Sequence, residues 1–107
     1  MATTVVNIRK LPVGWISDTR YARIDRQSVF GNPVKIRYKC PVCGGIHKEA
    51  GSTIPCFRQY FTKRLAYDAA FRNAVYALRN KMLVCWCKPN FCHGDVIAEF
   101  LNLTFGE

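Results

Sequence analysis

Two short stretches of this chain each gather three cysteines and one histidine. Cys40, Cys43 and Cys56 stand near His47, and Cys85, Cys87 and Cys92 stand beside His93. Clusters of this kind dictate where a backbone must turn and which segments a fold must bring together. A chain of 107 residues makes one domain with one core, spanning 1–107. Half of its residues are apolar, which excludes a disordered chain. The start, MATTVVNIRK, lacks the apolar stretch of a secretory signal. Close Cys/His spacing therefore reads as metal ligands or reactive thiols before it reads as a disulfide framework. No apolar run approaches the roughly 18 residues of a membrane span, so no membrane partner is expected and the expected compartment is the cytoplasm.

The first group has the spacing C-x2-C-x3-H-x8-C. Two thiolates two residues apart can grip one Zn²⁺ from a tight turn. Gly44 and Gly45 let the chain curl around the ion. Cys40, Cys43, His47 and Cys56 complete four ligands, a closed set that implies a structural zinc. The spacing resembles a zinc knuckle with a longer last interval, and makes 40–56 a zinc-binding loop. The plainer reading is a set of ordinary loop cysteines.

The second group differs. Met82 to Cys87 is continuously apolar and reads as a buried, parallel, central strand. On such a strand Cys85 and Cys87 point one way and Trp86 the other. Cys92 and His93 open the last helix, where free N–H groups favour anions and lower a thiol pKa. Three uses compete: a second metal site of Cys87, Cys92 and His93 with Cys85; an anion pocket; or a nucleophilic Cys92 or Cys87 with His93 as base. Cys92, His93 and Asp95 are the catalytic candidates. The plainer reading places Cys85 and Trp86 in the core and makes Cys92 a small buried residue. A phosphatase-type thiol loop would need arginine where His93 follows Cys87, which excludes that class.

The remaining pattern predicts strands at Thr3–Ile8 and near Tyr21–Ile24, separated by an irregular loop. Val34–Lys39 alternates and predicts a half-buried strand with Lys35, Arg37 and Lys39 outward. Ser52 or Thr53 caps a helix with Pro55 in its first turn, its face formed by Phe57, Tyr60, Phe61 and Leu65. Asp68 caps a second helix, unless 54–80 is one bent helix. Val96, Ile97, Phe100, Leu101 and Leu103 mark the face of a final helix. Strands linked through helices give an α/β fold, with ligands beyond the carboxyl ends of the strands.

The strand VVNIRK, the turn Gly31-Asn32-Pro33 and the ending Cys85-Trp86-Cys87, Pro89, Cys92-His93-Gly94-Asp95 together resemble a small family of unknown function. That family is common in bacteriophages, scattered in bacteria, and marked by an N-terminal GNP motif and a C-terminal CWC-P-CHGD motif. The ending resembles, more weakly, another uncharacterised family with a cysteine-proline-CH ending. The resemblance implies a small Rossmann-like sheet with helices. It also implies a pocket of Arg9, Arg26, Asn32, Cys87, Cys92, His93 and Asp95, and a host-cytoplasmic setting. Family members pass from the GNP strand to the helix by a short loop, so Cys40 to Cys56 is a local insertion or replacement. No reaction comes with the resemblance.

The charge, twelve Lys/Arg against three Asp/Glu in residues 1–64 and balance thereafter, predicts an anionic partner. A nucleotide or nucleic acid is expected, with Trp15, Tyr21 and Tyr38 as candidate stacking surfaces. The alternatives are a nucleotide-processing enzyme at the CHGD end and an accessory protein that binds an acidic host protein.

Overall fold

The computed structural model describes residues 2–26, 28–49, 51–86 and 91–106. Three strands, β1 (Thr4–Asn7), β2 (Tyr21–Arg23) and β3 (Met82–Cys85), form one sheet in the order β1-β3-β2. All pairings are parallel, with Thr4 and Tyr21 both opposite Met82 and with Asn7 opposite Cys85. The central place of β3 follows from its composition. Leu83, Val84 and Cys85 are all buried although they alternate between faces, so both faces of the strand are covered.

The covering comes from three helices: α1 (Ile54–Tyr67), α2 (Ala69–Tyr76) and α3 (His93–Phe105). Phe57, Phe61 and Leu65 recur at helical spacing on α1 and enter the core with Phe71 and Val75 of α2 and Val96, Ile97 and Leu101 of α3. The rings of Phe57 and Phe61 stack at 5.7 Å, and Phe61 meets Phe71 and Phe100 edge-on. Asp68 divides the first two helices. Its backbone is extended, its carboxylate accepts the Phe71 N–H at 3.0 Å, and Arg64 donates to it at 3.2 Å. The segment 54–80 is thus two helices rather than one bent helix. Leu103, expected on the inner face of α3, is exposed.

The expected strand at Val34–Lys39 does not form. Val34 is buried, but the chain turns at Arg37, whose φ is +70°, and Tyr38 is exposed. Lys39 instead makes an isolated antiparallel bridge with Ile46, and Arg37 N–H donates to the His47 carbonyl at 2.8 Å. The alternation is real in the sequence, but the chain is committed to the 40–47 loop and reaches no sheet edge. Among the described residues the sheet has three strands, and the expectation of a Rossmann-like fold goes beyond it.

Candidate functional site

Cys40, Cys43, His47 and Cys56 come together as the spacing predicts. Their ligand atoms all lie within 4.8 Å of one another. Cys40 and Cys56 are buried, His47 is half-buried and Cys43 is exposed. Cys43 Sγ lies 3.6 Å from His47 Nε2. A tetrahedral zinc with its usual bonds spaces neighbouring ligands by roughly 3.6–3.8 Å. The Cys43–His47 pair has that spacing, and the set is compact enough to hold a metal ion. The turn is built for the purpose. Gly44, with φ of +78°, supplies the left-handed step and donates its N–H to the Cys40 carbonyl at 2.9 Å. Gly45 has no such requirement.

Electrostatics favour a cation here. Burial opposes ionisation of Cys40, yet the N–H groups of Cys43 and Val42, at 3.4 and 3.3 Å from its sulfur, outweigh burial and bring its pKa down to about 6. Burial, reinforced by the neighbouring sulfurs of Cys43 and Cys40, pushes Cys56 up to about 11. One thiolate forms readily and discourages another, a conflict that a divalent metal ion removes. A group of three cysteines and one histidine that can hold a metal ion is thus present. Cys56 sits in the first turn of α1 and packs with Val34 and Val42, so a metal ion held by the group would tie the loop to the helix.

A second feature lies beside it. A cavity of about 410 Å³ opens at the carboxyl ends of the strands, as the parallel topology predicts. One wall is Val34, Ile36, Gly51, Thr53 and Ile54; another is Cys85, Trp86, Phe91, Cys92 and His93; Asp25, Arg26 and Asn32 complete it. Of the expected pocket residues, Arg26, Asn32, Cys92 and His93 line this cavity. Arg9 and Asp95 are not among its lining residues; Arg9 stands with its guanidinium 5.7 Å from the Trp86 ring. The expectation for Cys87 lies outside the described residues.

Each residue has a local cause. Gly31 passes so close to the preceding turn that a Cβ would sit 2.6 Å from Arg26 Cα and 2.8 Å from the Asp25 carbonyl. Asn32 is structural: its Oδ1 accepts the Val34 N–H at 2.9 Å and its Nδ2 donates to Thr53 Oγ1 at 3.2 Å. Arg26 Nε donates to the Asn32 carbonyl. The Gly31-Asn32-Pro33 turn therefore positions Asp25 and Arg26 at the cavity. Of the two expected caps, Ser52 and Thr53, it is Thr53 that stands at the N-cap of α1, but its hydroxyl holds Asn32 and does not cap the helix.

At α3, the Asp95 carboxylate accepts the Cys92 N–H at 2.8 Å. His93 is largely buried, with its Nε2 2.6 Å from the Ile24 carbonyl. A carbonyl only accepts, so Nε2 carries the proton and Nδ1 is the acceptor nitrogen. Burial lowers the His93 pKa, with the nearby Arg26 charge adding and the Ile24 bond opposing, and the ring is neutral at pH 7. The thiol of Cys92 departs from expectation. The helix N-terminus should lower its pKa, but its contact with the Cys85 sulfur at 3.3 Å, followed by burial, raises it. The same sulfur faces the N–H groups of Gly94 and Asp95, and the Asp95 carboxylate holds the Cys92 N–H, so this helix end is occupied by its own side chains.

Sequence reasoning missed Trp86 and Phe91 as cavity residues; both are about half exposed. The strand ends at Cys85, so strict alternation no longer decides where Trp86 lies. Trp15 and Tyr21, expected as stacking surfaces, pack edge-on against each other, while Tyr38 is exposed beside Lys35. Arg20, Arg23, Arg58 and Arg64 pair with acidic side chains, and Arg26 is the basic residue lining the cavity among the described residues. No helix among the described residues is long and apolar enough to cross a membrane.

Over 65 residues the chain is 36% identical to an uncharacterised 12.4 kDa protein in the nrdA-td intergenic region of Enterobacteria phage T4. The match covers 58% of this chain and 60% of that protein's own length. No solved structure matches. The model of a domain of unknown function, DUF4326, matches residues 6–103, and the chain belongs to that family.

Proposed function

We propose that this protein is a zinc-stapled domain that binds a single nucleotide at the carboxyl edge of its sheet. The cavity carries the reading. Its 410 Å³ falls within the roughly 300–1,000 Å³ of small-molecule sites and suits one nucleotide better than a nucleic-acid strand. Trp86 and Phe91 offer ring faces for a base. The neutral His93 ring offers an acceptor for a base N–H. Arg26, with Arg9 beside Trp86, offers charge for a phosphate. The zinc is structural, held by Cys40, Cys43, His47 and Cys56.

Binding is favoured over a nucleotide-processing reaction by the state of the CHGD residues. Cys92 is buried with a raised pKa, Asp95 holds the Cys92 N–H, and His93 spends Nε2–H on Ile24. A nucleophile and its base are better served by a thiol whose pKa is lowered. Titration of the metal-loaded protein with a panel of mononucleotides, followed by tryptophan fluorescence, tests the reading. Binding should weaken with salt. Arg26→Ala should weaken it about tenfold or more, the loss of a charge-assisted hydrogen bond. A folded, metal-loaded protein that binds none of the panel sinks the proposal.

A further inference from the structure

Cys85 ends β3 and Cys92 precedes α3, yet their sulfurs lie 3.3 Å apart. Neither Cys85 nor Cys92 is in a disulfide, and each residue is only 2% exposed. Both nevertheless border the cavity, which gives a small reagent a route to them. A disulfide needs a sulfur separation of about 2.05 Å. The approach still required is little more than an ångström, within the reach of side-chain rotation.

We propose that Cys85 and Cys92 form a dithiol that closes to an internal disulfide when a low-molecular-weight disulfide enters the cavity. Cys85 is the attacking sulfur, because the Cys92 S–H donates to it and supports its thiolate. The Cys85 thiolate attacks one sulfur of the incoming disulfide, breaks its S–S bond and releases one thiolate, which takes up the Cys85 proton. Cys92 then gives its proton to the second leaving thiolate as its sulfur attacks Cys85 Sγ. The balance is two protein thiols and one small disulfide giving one protein disulfide and two small thiols. The protein is oxidised by two electrons and the reagent is reduced by two. Burial makes the reaction slow, and contact between the two sulfurs makes it selective. The cysteines of the first group are a separate set, within 4.8 Å of one another and of His47.

The test treats the metal-loaded protein with hydroxyethyl disulfide, traps remaining thiols with N-ethylmaleimide and maps the peptides by mass spectrometry. The expected product is a peptide pair joined through Cys85 and Cys92, lighter by two hydrogens and reopened by dithiothreitol, with the metal retained. In Cys92→Ser the second step is lost, and a mixed disulfide should accumulate on Cys85. Recovery of Cys85 and Cys92 as maleimide adducts, or a bridge involving Cys87, would overturn the proposal. The wild-type map decides the matter even if Cys92→Ser fails to fold.

Discussion

Single residues explain much of this site through what they leave out. Gly31 has no side chain because the backbone of Asp25 and Arg26 occupies that space. In Gly31→Ala the new Cβ meets backbone atoms, which cannot rotate away, so the turn must shift. Overpacking of this kind costs about 1–3 kcal/mol. Arg26 would move with it, so nucleotide binding should weaken as well. Gly45 is the control. A Cβ there meets only Cys43 Sγ at 3.6 Å, an ordinary contact at an unremarkable φ. Denaturant melts should show Gly31→Ala clearly destabilised and Gly45→Ala near wild type. Equal stability of the two variants would refute the assigned role of Gly31. From the sequence, Gly31 is readable as a turn, but the atoms it avoids belong to residues that only the fold brings near.

At the scale of elements, the same division holds. The start of α2 at Asp68 was legible because a capping side chain is a local signal, and the start of α1 near Thr53 because apolar spacing is one, although its hydroxyl caps nothing. The centrality of β3 was legible because a strand buried on both faces cannot alternate. Val34–Lys39 was misread because alternation reports a preference, and the neighbouring Cys/His loop overrode it. The role of the Thr53 hydroxyl was hidden because its partner, Asn32, lies 21 residues away. This hydroxyl joins the start of α1 to the Gly31-Asn32-Pro33 turn, and both residues are buried. Thr53→Val keeps the shape and removes the acceptor, leaving an Asn32 N–H without this partner. The expected loss is roughly 1–3 kcal/mol in a denaturant melt, the cost of an unsatisfied buried donor. Far-UV circular dichroism should show undiminished helix, because the hydroxyl does not cap α1. Loss of helical signal would mean that it does.

The whole molecule joins the candidate metal site to the cavity through one wall. Val34 packs with Cys40 and Cys56 and also faces the cavity, and Thr53 and Ile54 of that wall lead directly into Cys56. The larger core of Phe57, Phe61, Leu83 and Ile97 packs apart from this small cluster. Closing the Cys40–Cys56 loop restricts the unfolded chain by about 3 kcal/mol, taking a cross-link as the guide. A domain of this size has a total stability of about 5–15 kcal/mol, so metal removal should weaken the fold without abolishing it. Chelation should therefore lower the melting temperature by roughly 10–20 °C while the helical signal persists at 25 °C. Hydrogen exchange should accelerate in residues 34–49 and 51–54 and stay slow in β3 and α3. Nucleotide affinity should fall with it, because the loosened wall must be ordered again on binding. Uniform acceleration across the chain would show one cooperative unit, and unchanged exchange in the loop would show that the four ligands hold nothing in place.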